Sequence, residues 1–317
     1  MSRLQKGLTL LLAVITVAPL ALAAETPPRV EVPIYQTVLS DGAVRYWIPV
    51  AVGGNGPVRA MLDTGSFGLR ILAQATPPNS YTTTGVQRTY AFQSGASLHG
   101  IIAEAVVDIG GAAAQAPIPI QVVQSVNCVP NKPACPVSKV SARDYLIGGD
   151  GLAGEGFPAI IGLSLRSAGV VPAANNPLGL IGVRTWIITL PLPGDAEPGQ
   201  MVLNPGRAET ARFKLFQMPR QPAGGAGGGA GGRGGAGGGG RSAGGDKGAA
   251  GWQDLVIKGC LGAEGARDFC GATRVDSGGG PKTIAPFLSF SVFYDQVRGK
   301  IGFRPRSAAR NGGEPQP

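Results

Sequence analysis

Short runs rich in Val, Ile, Thr and aromatic residues alternate along this chain with Gly, Pro, Asn and Asp. The runs include "RYWIPVAVGG", "RAMLDTG", "IIAEAVVDIGG", "PIPIQVVQS", "TWIITLPLP", "QMVLNPG", "WQDLVIKG" and "KIGFRP". This is the pattern of many strands joined by turns, and helix signals are scarce. The expected class is all-β.

Composition changes that picture in two places. Fifty-two glycines and 27 prolines would point to disorder if they were evenly spread. They are not. Much of the glycine falls in "AGGAGGGAGGRGGAGGGGRSAGGDKGAAG", 223–251, which cannot pack a core and reads as a flexible insertion. The tail "RSAARNGGEPQP" reads as frayed. Ordered sequence is therefore expected from about 29 to 220 and again from about 252 to 305.

The chain starts with basic "MSRLQKG", then an apolar run interrupted by Pro19, then small residues at Ala21-Leu22-Ala23. Residues 1–23 read as a secretory signal peptide, which implies a periplasmic or secreted protein. No later segment is long and apolar enough to span a bilayer as a helix. The net charge of +9 reads as a solvated basic surface. Without interleaved basic and aromatic positions, it does not suggest nucleic acid as a partner.

Four cysteines form two local pairs, Cys128 with Cys135 and Cys260 with Cys270. In an exported chain they read as two disulfides that close short loops. The spacing does not suit zinc and His99 is the single histidine, so neither a metal nor another cofactor is expected.

The candidate chemistry lies in two similar stretches, "AMLDTGSFGLRIL" and "TRVDSGGGPKTI". Each sets an acidic residue, Asp63 or Asp276, in a Gly-containing turn beside apolar runs, where an isolated charge is expensive to bury. If the two loops meet, their carboxylates cannot both ionise cheaply and share a proton. One then takes a proton from a water while the other donates to a carbonyl oxygen. Such chemistry needs no metal, histidine or covalent intermediate.

These stretches and several others, in order, resemble the pepsin-like aspartic proteases. "TYAFQSGASLHGIIAEAVVDIGG" resembles their flap hairpin, "PAIIGLSLRS" the segment bracing the first Asp loop, and "FYDQVRGKIGF" the closing strands. The resemblance implies two β-barrel lobes about a cleft, at 24–205 and 206–317. It implies Asp63 and Asp276 as the catalytic pair, within Asp63-Thr64-Gly65-Ser66 and Asp276-Ser277-Gly278. Thr64 and Ser277 would interlock the loops, and Ser66 would bond the outer oxygen of Asp63. Ile160, Ile161 and Gly162 would form the brace. Phe92 stands where the family usually has a flap tyrosine, with Tyr90 two residues earlier. Were Phe92 the flap residue, the lid would remain but a phenol hydrogen bond would be lost.

The chain departs from the family in two ways. Gly279 stands where a hydroxyl or Ala is usual, and little sequence follows Asp276, without a second brace. The second lobe is therefore expected to be reduced. The expected function is peptide-bond hydrolysis at acidic pH by a monomer, on a peptide or protein substrate. One rival is a non-catalytic peptide- or protein-binding protein on the same fold. The other is a homodimer in which two Asp63 residues meet.

Overall fold

The computed structural model describes residues 28–166, 175–221, 251–254, 256–261 and 269–306. The expected signal peptide, nearly all of the glycine-rich run and the tail beyond Arg306 lie outside them.

The described residues are all-β in class. Their first half holds β1 (Val30–Val38), β2 (Val44–Val52), β3 (Val58–Asp63), β4 (Phe67–Leu72), β5 (Thr82–Ala91), β6 (Ala96–Ala105), β7 (Val107–Ile109), β8 (Ala112–Ala113), β9 (Ile118–Cys128) and β10 (Ala159–Leu163). The second half holds β11 (Thr185–Thr189), β12 (Gly199–Leu203), β13 (Lys214–Gln217), β14 (Val256–Leu261), β15 (Phe269–Arg274), β16 (Phe290–Asp295) and β17 (Lys300–Pro305). Two one-turn helices, α1 (Pro177–Leu180) and α2 (Arg207–Thr210), precede the longer α3 (Pro281–Ser289).

Fifteen strands join in one open mixed sheet, and β14–β15 form a separate hairpin. The sheet turns on β1. Its first half, Val30–Ile34, pairs with β12, and its second half, Tyr35–Val38, pairs with β2. One chain segment thus stitches β13-β17-β16-β11-β12 to β2-β3-β10-β4-β9-β6-β5. Strand β2 buries Tyr46, Ile48, Val50 and Val52 at alternate positions, as expected of a sheet with one packed face. Strand β4 is buried along its whole length and β10 likewise, so both faces of the sheet are covered there. The main core runs from Val32 and Ile34 through Leu62, Leu69 and Ile161 to Trp186, Phe287 and Tyr294.

Helix α3 was not expected from the sequence, where helix signals are scarce. Pro281 fits the first helical turn, where its missing N–H costs nothing. Ile284, Phe287 and Leu288 recur at helical spacing and pack on the core. The helix ends at Phe290, which is extended and opens β16.

The Cys128–Cys135 disulfide is present. Cys260 and Cys270 face each other in register across β14–β15, but their side chains lie outside the described ones. Among the described residues no helix is long and apolar enough to cross a membrane.

Candidate functional site

The Asp63-Thr64-Gly65-Ser66 turn joins β3 to β4, and β10 is inserted between those two strands. It runs parallel to β3, with Gly162 opposite Asp63, and antiparallel to β4, with Gly162 also opposite Gly68. Ile160, Ile161 and Gly162 therefore lie directly against the turn. Gly162 is required for space, since a Cβ there would sit 2.5 Å from Phe67 N. Ser164 N–H, just past β10, donates to Ser66 O at 2.8 Å.

The Asp276-Ser277-Gly278 turn follows β15 and leads into α3. The two turns interlock. Thr64 N–H donates to Ser277 Oγ at 3.1 Å, and Ser277 N–H donates to Thr64 Oγ1 at 3.0 Å. The Thr64 hydroxyl donates onward to Val275 O at 3.3 Å, and the Ser277 hydroxyl to Leu62 O at 2.9 Å. Both residues are buried, so all four bonds are shielded from water.

The interlock brings Asp63 and Asp276 together. They lie close enough for the Asp63 carboxyl to act on Asp276 by charge and by hydrogen bonding. Each turn's glycine faces the other turn's carboxylate: a Cβ on Gly65 would lie 2.4 Å from Asp276 Cγ, and one on Gly278 would lie 2.5 Å from Asp63 Oδ1. Asp63 Oδ1 accepts N–H bonds from Gly65 at 2.8 Å and Ser66 at 3.2 Å; Asp276 Oδ1 accepts one from Gly278 at 3.0 Å. Burial pushes the Asp276 carboxyl up to about 7, helped by the charge and hydrogen bonding of Asp63. The Gly278 N–H and the Arg274 charge oppose that rise. Asp276 therefore keeps its proton through the acidic range and gives it up as pH rises through about 7.

Several details differ from expectation. The contact from Ser66 to Asp63 is made by the backbone N–H, while Ser66 Oγ is buried without a hydrogen bond. The tight turn already aims the Gly65 and Ser66 N–H groups at that carboxylate. Opposite Gly279 the missing side chain is replaced: a Cβ there would lie 2.1 Å from Thr283 Oγ1 and 3.0 Å from Asp276 Oδ2. Thr283, on α3, donates to Asp276 O at 3.2 Å, and Asp276 N–H donates to Thr283 O at 3.1 Å. The helix thus braces the second turn where no second strand brace was found in the sequence.

The pair forms part of the floor of a cleft of about 780 Å³. The tip of the β5–β6 hairpin, Tyr90 to Ser94, forms one wall. Tyr90 and Phe92 both line it and pack edge to face at 5.0 Å. Tyr90 is the one whose hydroxyl neighbours Ser66 and senses the Asp63 charge. The loop closed by Cys128–Cys135 props the tip, through Val129 N–H to Gly95 O at 2.8 Å and Lys132 Nζ to Gln93 O.

Three further groups were not singled out in the sequence. Arg70 is fully buried with its guanidinium 3.5 Å from the Tyr90 ring centroid, and burial lowers it to about 10. Arg166 donates to Gly65 O and to Ser164 Oγ. Asp254 accepts from Ser164 Oγ at 3.0 Å and from Leu165 N–H, and lies 3.7 Å from Arg166. A polar residue inside "FGLRIL" or after "WQ" is the only sequence signal for Arg70 or Asp254, and it names no partner. No set of three or more His, Cys, Asp or Glu among the described residues is arranged to hold a metal ion.

Residues 58–165 match a family described as a protein of unknown function (DUF3443). The match spans the Asp63 turn, the hairpin over the cleft and the β10 brace, and ends before Asp276. No curated protein matches the chain.

Proposed function

We propose that the protein is a pepsin-like aspartic endopeptidase with a reduced second lobe. The observation that carries this reading is the interlock of the two turns, which sets Asp63 and Asp276 face to face, each carboxyl against the other turn's glycine. A structural carboxylate pair would be costly in a buried setting, because each charge opposes the other. Its position in a peptide-sized cleft is what a shared-proton acid–base pair requires.

In this mechanism a water lies between the carboxylates and the scissile carbonyl. Asp63, ionised, takes one proton from the water as its oxygen attacks the carbonyl carbon. Asp276 gives its proton to the carbonyl oxygen, and a gem-diol forms. The proton on Asp63 then passes to the amide nitrogen, the C–N bond breaks, and one diol hydroxyl returns its proton to Asp276. Tyr90 and Phe92 cover the reacting bond and limit access of bulk water.

In this reading the lobe boundary falls near residue 205. A periplasmic or secreted location fits the disulfide. The binding-protein reading predicts carboxylates that do not meet, and their close approach across the interlocked turns favours catalysis. The pair is also completed within one chain, which favours a monomer over a dimer that pairs two Asp63 residues.

The test is cleavage of an unfolded protein between pH 3 and about 8. The wild-type chain is expected to cleave on the acid side, with activity falling as pH rises through about 7, where Asp276 loses its proton. Asp63→Asn and Asp276→Asn are each expected to lose at least about 10³-fold in kcat/KM while remaining folded. Activity that survives either change would overturn the proposal.

A further inference from the structure

The two halves of the cleft differ in chemistry. Met61 lies two residues before Asp63 on β3, and Arg274 lies two residues before Asp276 at the end of β15. On β3 that spacing puts Met61 on the same face as Asp63, and both Met61 and Arg274 line the cleft. Around Met61 the wall is apolar, made by Tyr145, Ile147 and Ile160. On the Asp276 side the corresponding position is a guanidinium.

Arg274 also differs from the other cleft cations. Arg45 donates to Gly148 O, Lys139 to Asp150 O, and Arg166 to Gly65 O beside Asp254. Among the described residues, the Arg274 guanidinium makes no hydrogen bond or ion pair, although its charge reaches Asp276. A half-buried arginine normally finds an acceptor. Gly278, Gly279 and Gly280 beside it present no side chain that could fill the space. The first turn of α3 begins at Gly280 on the same side and adds the positive end of its dipole.

Resting on the protease reading, we propose that the cleft selects peptides by charge. The side chain held on the Asp276 side of the scissile bond is acidic, and Arg274 receives its carboxylate as a paired, charge-assisted contact. The residue held on the Asp63 side is apolar. Arg274 is then a specificity-determining residue, outside the proton transfers.

The test uses one peptide series with Leu on one side of the scissile bond and Glu, Gln or Lys on the other. The Glu peptide is expected to exceed the Lys peptide about 10- to 100-fold in kcat/KM for the wild type at pH 5.5. Arg274→Glu is expected to invert that ratio, and Arg274→Lys to retain the preference for Glu. Comparing peptides within one variant cancels any general loss of activity. The same peptides are titrated onto folded Asp63→Asn by fluorescence anisotropy, which needs no turnover. Glu-selective binding without wild-type cleavage would sink the protease reading and leave the charge selection standing. Equal handling of Glu and Lys peptides in both assays, or a preference that Arg274→Glu leaves unchanged, would overturn the proposal itself.

Discussion

At the scale of single residues, the site depends on what two glycines lack. Gly65 has no left-handed φ that would restrict it to glycine, so its constraint is space alone. A methyl group there would lie 2.4 Å from Asp276 Cγ and must displace the carboxylate. Gly65→Ala is therefore expected to lose at least about 100-fold in kcat/KM with little change in the far-UV circular dichroism spectrum. Thr64 and Ser277 act differently, because they hold the turns together. Removing either hydroxyl takes away two bonds and leaves a buried N–H unpaired. Thr64→Ala and Ser277→Ala are each expected to cost about 2–4 kcal/mol in urea unfolding. The double variant should cost less than the sum, since both changes break one network. Additive losses would mean that the turns do not interlock. These two turns were legible in the sequence because the residue types and their order carry the chemistry. Thr283 was not. Its role depends on a helix that follows Gly279 at once, and two prolines disguise that helix.

At the scale of elements, the β10 brace extends beyond its strand. Its end is tied to a remote segment: Asp254 holds Ser164 and Leu165, and Arg166 lies between Asp254 and the Asp63 turn. Asp254 is almost wholly buried, and desolvation raises its carboxyl to about 6 against the pull of its hydrogen bonds and Arg166. The folded protein thus holds this proton more tightly than the unfolded chain does. Its contribution to stability is complete below about pH 4 and is lost as pH rises through about 6. The full change is on the order of 3 kcal/mol. Asp254→Asn should flatten that part of the stability profile, read as the difference between urea midpoints at pH 4 and pH 7 for variant and wild type. An unchanged difference would mean that Asp254 is ionised throughout. The family resemblance pointed to Ile160-Ile161-Gly162 because "AIIGL" follows the first turn in the expected order, and the strand lies against that turn. It could not find the anchor, since nothing along the chain links Ser164 to a residue beyond the glycine-rich run.

At the scale of the whole molecule, the glycine-rich run interrupts the sequence far more than it interrupts the fold. Alternation and turn residues revealed strands and their class. They did not reveal that β1 would divide its pairing between β12 and β2, because a strand with apolar residues along its length is compatible with either neighbour. Nor did they show that the closing strands β16 and β17 join β11 in the same sheet. That pairing brings the chain on both sides of the run to one place. Gln221 N–H donates to Gly251 O at 2.9 Å, and Arg220 bridges Trp252. The Trp252 indole is in turn fixed by its N–H bond to Gln296 O at 2.8 Å. The two ends are thus already positioned as a hairpin would position them, and neither Arg220 nor Trp252 lines the cleft. Replacing residues 222–250 with an Asn-Gly pair supplies a turn that such ends accept. A shorter connection costs less entropy to close, by about 2 kcal/mol for this change in length. The shortened protein is expected to unfold at higher urea by that amount and to cleave its substrates within about twofold of the full chain. If it were equally stable but inactive, the run would be contributing to substrate capture rather than merely connecting Gln221 to Gly251.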